Sequence, residues 1–158
     1  MKKLTNLRTA HDVGRTNDHC YTPAYFFDAL KLQFDLDVCA PIGGALHVPA
    51  LAYYSTNENG LMQPWYGKVF MNPPYSEPAP WVERFIEHGN GVALLPTTNG
   101  KWQLDLWYAD TAWAICPPVK FVGANGEPYK TALPSRLWLV AMGQECQDAL
   151  ARFGKTRR

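Results

Sequence analysis

A chain of 158 residues that is 47% hydrophobic, 18% charged and 13% aromatic carries enough apolar mass for one core and too little charge for a disordered polymer. A formal net charge of +1 excludes recognition of nucleic acid by the whole-molecule field alone, and no apolar run approaches the roughly 20 residues of a membrane helix. The opening Met1-Lys2-Lys3-Leu4-Thr5-Asn6 lacks the apolar segment of a signal peptide, so the expected location is cytoplasmic.

The charge is uneven along the chain. Lys2, Lys3, Arg8 and Arg15 face one acid, Asp12, and residues 1–17 read as a mobile basic arm. Residues 18–153 read as one domain, and 154–158 as a basic tail with Lys155, Arg157 and Arg158. Basic ends of this kind suit phosphates. Cys20, Cys39, Cys116 and Cys146 are far apart and form no Cys-x-x-Cys pair, which predicts buried free thiols and no metal site.

In chain order, Thr22 as cap and Pro23 in the first turn predict a helix carrying Tyr25, Phe26, Ala29, Leu30 and Leu32 on one stripe and ending near Gln33. Residues 34–40 alternate as a short strand whose end bears Asp37, followed by a turn through Pro41, Gly43 and Gly44. Residues 45–67 predict at most one short strand, about 51–54, and then an irregular segment. Residues 68–71 form a strand, and Trp81, Val82, Phe85 and Ile86 give 80–88 helical spacing.

The apolar run 91–96 fits a strand covered on both faces. A helix over 102–108, a strand over 111–116 that 120–122 extend past Pro117-Pro118, a turn over 123–128, a strand over 137–142 and a helix over 144–153 complete the reading. The last two strands are expected to form an antiparallel hairpin at the sheet edge. Alternating strands and helices predict an α/β domain with a mostly parallel central sheet. The six tryptophans are expected in the core.

In such sheets ligands bind beyond the carboxyl ends of strands that flank the switch point of strand order. Asp37 and Asn72 both fall at strand ends, which predicts a crevice between them if the strands are neighbours. Asn72-Pro73-Pro74-Tyr75 is the most informative stretch. Two prolines fix φ and remove two donors, which leaves a stiff turn of carbonyl acceptors. Asn72 adds an amide acceptor and Tyr75 an aromatic face, a set suited to a planar ring bearing an amine.

The ordered blocks Tyr21-Thr22-Pro23, Leu36-Asp37-Val38-Cys39-Ala40, Asn59-Gly60-Leu61 with Gln63-Pro64-Trp65, and Asn72-Pro73-Pro74-Tyr75-Ser76 resemble phage-type DNA N-6-adenine methyltransferases of the Dam superfamily. The resemblance runs from about residue 20 to residue 142. It implies a Rossmann-like methyltransferase fold that is compact and has no large target-recognition domain, S-adenosylmethionine as methyl donor, and adenine in DNA as acceptor. Asn72, Pro73, Pro74 and Tyr75 are then the expected catalytic set, with Tyr75 stacked on a base that has left the duplex. Tyr21, Thr22, Pro23, Asp37, Cys39, Glu58 and Asn72 are the expected cofactor residues, with Glu58 the candidate for the ribose.

The turn after Asp37 departs from larger adenine methyltransferases in lacking their compact glycine spacing. A compact chain leaves target selection to loops, to the basic ends, or to a second subunit in a homodimer or with a partner. Two other readings stay open: methylation of RNA adenine or of a protein glutamine, whose amide presents the same two hydrogens, and a catalytically silent nucleic-acid-binding protein of the same fold.

Overall fold

The computed structural model describes residues 21–123, 125–130 and 136–158. The expected arm over 1–17 and Cys20 lie outside the described residues. Seven strands form one sheet: β1 (Phe34–Asp37), β2 (Ala50–Tyr53), β3 (Val69–Met71), β4 (Gly91–Pro96), β5 (Ala112–Ile115), β6 (Leu137–Met142) and β7 (Thr156–Arg157). Four helices, α1 (Ala24–Leu30), α2 (Ala79–His88), α3 (Lys101–Tyr108) and α4 (Gln144–Phe153), cover it among the described residues.

The strand order is β2-β1-β3-β4-β6-β5-β7. β1 pairs in parallel with both β2 and β3, and β3 in parallel with β4. β6 runs antiparallel to β4 and β5, and β7 antiparallel to β5. The α/β class and the mostly parallel centre are as the alternation of elements predicts.

The antiparallel strand differs from expectation in its place. β6 is inserted between β4 and β5 instead of lying at the edge, because its six residues are almost wholly buried and pair with β4 along their full length, Gly91 opposite Met142 through Pro96 opposite Leu137. An edge position would leave that apolar strand half uncovered. The edge is formed by Thr156 and Arg157, expected as part of a tail, which pair with Ala114 and Trp113. A short, charged strand suits an edge.

Residues 120–122 do not extend β5. Two prolines at 117 and 118 stop the ladder, and Val122 instead bridges Tyr21 on one side and Pro128 on the other.

Side chains alternate between two apolar layers. Val92 and Leu94 of β4 and Leu137, Leu139 and Ala141 of β6 face α1 and α4, where Phe26, Leu30 and Leu150 are buried. Ala93 and Leu95, with Val140 and Met142, face the layer holding Val82, Phe85 and Leu106 of α2 and α3. Coverage on both faces explains why β4 reads as a continuous apolar run.

The helices stop for local reasons. α1 ends where Lys31 turns left-handed at φ 52° and donates its N–H to Phe27 O at 2.9 Å. α2 ends at Gly89, φ 72°, which donates likewise to Phe85 O.

Trp81 and Trp113 are buried as expected, whereas Trp107 is 54% exposed on α3. No helix of the described residues is long and apolar enough to cross a membrane.

Candidate active site

The sheet reverses its order between β1 and β3: from β1 the chain moves outward to β2, then returns to place β3 on the other side of β1. Asp37 pairs with Phe70, so the end of β1 and the turn after β3 adjoin. The two strands are neighbours, which meets the condition for a shared crevice.

Beyond their carboxyl ends lies a crevice of about 550 Å³ of empty space, part of it open to solvent. Of the residues named from sequence, Tyr21, Thr22, Asp37, Cys39, Asn72, Pro73 and Pro74 line it. Pro23, Glu58 and Tyr75 do not.

Asp37 is 3% exposed, and its Oδ1 accepts the Cys39 N–H at 3.2 Å. Among the described residues no cation pairs with it. Burial therefore dominates and pushes its carboxyl up from 3.8 to about 7, with the Cys39 hydrogen bond a smaller opposing effect. An uncompensated buried carboxyl facing a crevice suits a ligand that brings a cation or a hydroxyl. Its backbone is tightly held: Asp37 O accepts Tyr54 N–H, and Phe70 O accepts Val38 N–H.

Asn72 is the second uncompensated group. Its Nδ2 donates to Thr22 Oγ1 at 3.3 Å, while its Oδ1 is buried with no hydrogen-bond partner. The prolines that follow offer no N–H to that oxygen. A buried acceptor left open costs about 1–3 kcal/mol unless a ligand donor satisfies it.

Three of the expected residues lie outside the crevice lining. Tyr75 is 4% exposed within the apolar layer, and its hydroxyl donates to Leu94 O at 3.2 Å. Burial of the ring with its hydroxyl satisfied makes it a brace under the turn, not a face presented to the crevice.

Glu58 folds back on its own loop, where one carboxylate oxygen accepts both Ser55 N–H and Ser55 Oγ at 2.7 and 2.6 Å. These hydrogen bonds hold its carboxyl below the usual range. It ties a turn, and the neighbouring Thr56 reaches the crevice instead. Pro23 is buried at the start of α1, and Thr22 makes no capping bond to the helix because its hydroxyl is directed at Asn72.

The matching block over 59–65 is scaffold. A Cβ at Gly60 would fall 2.1 Å from Val38 O, so only glycine lets the 3₁₀ turn Gly60–Met62 pack under the end of β1. Trp65 Nε1 donates to Gly60 O at 2.8 Å, and Arg84 of α2 donates to Leu61 O at 2.9 Å and to Gln63 O.

Sequence reasoning missed Thr56, Val48 and Phe70 as crevice residues. Phe70 carried a signal in its position two residues before Asn72; Val48 and Thr56 sit in loops without one. The thiols of Cys116 and Cys146 are buried and pushed up to about 12 by that burial, as inert structural thiols are.

The DNA N-6-adenine-methyltransferase (Dam) family profile matches residues 9–117. A DNA N-6-adenine-methyltransferase of Haemophilus phage HP1 (strain HP1c1) is 34% identical over 89 residues, 52% of this chain and 47% of that protein. The chain thus aligns with about half the length of that relative. No solved structure matches. With residues 9–117 of its 158 inside the family profile, the chain belongs to the DNA N-6-adenine-methyltransferase (Dam) family.

Proposed function

We propose that the protein is an adenine-N6 methyltransferase of Rossmann-like fold that takes its methyl group from S-adenosylmethionine and delivers it to the exocyclic amine of a DNA adenine turned out of the duplex. The observation that carries this reading is the pair of uncompensated polar groups at the switch point, the Asp37 carboxyl and the buried, unpartnered Asn72 Oδ1. A donor with a cationic amino-acid end and an acceptor with two amine hydrogens complement those two groups. Family membership and the phage relative's name support DNA as the polymer.

When bound, S-adenosylmethionine supplies an electrophilic methyl group. Asp37, with Thr56 and the apolar walls Val48 and Phe70, is the set that would hold it. The chain's own part in catalysis falls to the Asn72-Pro73 turn. An aromatic amine is a poor nucleophile because its lone pair is delocalised into the ring. Accepting one hydrogen on Asn72 Oδ1 and the other on the Pro73 carbonyl draws the nitrogen toward tetrahedral geometry and localises the pair. Fixed dipoles and alignment accomplish this without a strong base. Pro73 and Pro74 keep the acceptors from rotating away, and Tyr75, pinned to Leu94 O, holds the turn from beneath.

Labelled methyl transfer to DNA, RNA and protein in parallel tests the reading. The expected result is label in DNA at N6 of adenine. Label in RNA or on a protein glutamine would reassign the substrate, and no label with any polymer alongside no calorimetric binding of S-adenosylmethionine would refute the enzyme assignment.

A further inference from the structure

Thr22 belongs to a block that suggests cofactor contact, yet its hydroxyl is spent elsewhere. We propose that Thr22 is a positioning residue that anchors the far end of the Asn72 side-chain amide and thereby presents Oδ1 to the substrate amine. Thr22 is 4% exposed, and its Oγ1 accepts Asn72 Nδ2–H at 3.3 Å across 50 residues of sequence. The other end of the same amide is the buried acceptor without a partner. The two ends of an amide have opposite hydrogen-bonding character, so whatever holds Nδ2 decides what Oδ1 can do.

Thr22 is itself held firmly. The residue before it, Tyr21, exchanges both backbone hydrogen bonds with Val122, at 2.8 and 2.9 Å, and the next residue, Pro23, has its φ fixed near −61°. The Thr22 backbone is therefore held between Val122 and the end of β3. A hydroxyl can also donate, which would allow the amide to reverse. The reversed amide would aim two N–H donors at an amine that itself donates, a repulsive pairing. A substrate amine thus favours the orientation in which Thr22 holds Nδ2 and Oδ1 is presented to it, and Thr22 keeps the amide from swinging out of reach before the substrate arrives.

The kinetic consequence rests on the methyl-transfer reading, whereas the anchoring does not, and the experiment separates them. Hydrogen exchange of the Asn72 side-chain amide is measured by NMR on the full-length, ligand-free protein, with Asn72→Ala supplying the assignment. Thr22→Val, close in shape but without the acceptor, is expected to raise that exchange about tenfold, and Thr22→Ser to leave it slow. Thr22→Ala serves the same purpose should the valine variant not fold.

Under saturating S-adenosylmethionine and DNA, Thr22→Val is expected to lower the methyl-transfer rate by about tenfold with little change in the S-adenosylmethionine dissociation constant, and Thr22→Ser to restore the rate. Unchanged amide exchange in Thr22→Val overturns the proposal. So does a variant that keeps its rate at saturation but loses cofactor affinity, since Thr22 would then be a cofactor contact. Absence of methyl transfer by the wild-type protein would remove the functional reading and leave the exchange measurement to decide the anchoring.

Discussion

Asp37→Asn should make the protein more stable above neutral pH and less able to bind S-adenosylmethionine, the proposed methyl donor, and the size of the first effect follows from burial. The carboxyl is 3% exposed, has one hydrogen-bond donor and no cation among the described residues, and is pushed up to about 7 in the folded chain against 3.8 when solvated. Between those values the unfolded chain has lost the Asp37 proton while the folded chain keeps it. The unfolded state then binds fewer protons, so stability falls as pH rises through this window and levels off above about 7. A gap of about 3 units at about 1.4 kcal/mol each gives at most about 4 kcal/mol lost to Asp37.

Asparagine preserves the shape and the Oδ1 acceptor for Cys39 N–H but carries no charge at any pH. Denaturant unfolding of both proteins at intervals from pH 4 to pH 9 isolates the effect, because the other titrating groups cancel in the difference. The two stabilities should agree near pH 4 and diverge by a few kcal/mol by pH 8, with the variant the more stable. Parallel curves across the range would refute the claim that Asp37 is held uncompensated. Calorimetry on the same proteins should show weaker S-adenosylmethionine binding by the variant, since a bound cation is what the carboxylate lacks.

Asn72→Ala should abolish methyl transfer almost completely while S-adenosylmethionine binding, read by calorimetry, is largely kept. Gly60→Ala should cost about 3 kcal/mol or more of unfolding free energy, because its Cβ would meet the Val38 carbonyl, which is backbone and has little freedom to move; denaturant unfolding measures it. Tyr75→Phe should lower stability by about 1 kcal/mol through the lost bond to Leu94 O, and an undiminished midpoint would argue against the brace. Phe85→Ala, which empties a fully buried site between α2 and the sheet, should cost about 3–5 kcal/mol by the same measurement.

Much of the fold was legible because local signals and packing agree. The run 91–96 is apolar at every position and becomes a strand buried on both faces; Trp81, Val82 and Phe85 share a helical stripe and become the buried face of α2. The insertion of β6 between β4 and β5 was not legible, since strand order depends on which apolar faces need cover and leaves no local trace. Asn72 and Asp37 could be placed in one crevice because both fall at strand ends around the switch point. The direction of the Tyr75 ring and the partner of the Thr22 hydroxyl could not, because one depends on a carbonyl 19 residues away and the other on an amide 50 residues away. Glu58 shows the converse: its nearest partner, Ser55, is three residues off, and the local turn occupies one carboxylate oxygen.

The two unsatisfied groups argue together for a site more strongly than either does alone. Among the described residues only three buried side-chain atoms lack a hydrogen-bond partner, and the other two have structural settings: Arg84 Nε belongs to a guanidinium that already grips the 61–63 carbonyls, and Trp138 Nε1 to an indole packed edge-on against Trp113. Asn72 Oδ1 has neither excuse. It lies in the crevice that also holds Asp37, a carboxyl without a cation, on the adjacent strand end. Each costs the folded state free energy that a hydrophobic or paired residue would not. An arrangement that places two such costs side by side, one able to receive a cation and the other an N–H, is less stable free than with ligands that satisfy both groups. Both ligands should therefore stabilise the protein. S-adenosylmethionine alone should raise the thermal midpoint in wild type and raise it less in Asp37→Asn. Asn72→Ala should leave that donor-induced rise largely intact, and a rise lost in Asn72→Ala but kept in Asp37→Asn would reverse the division of the crevice into a donor half and an acceptor half.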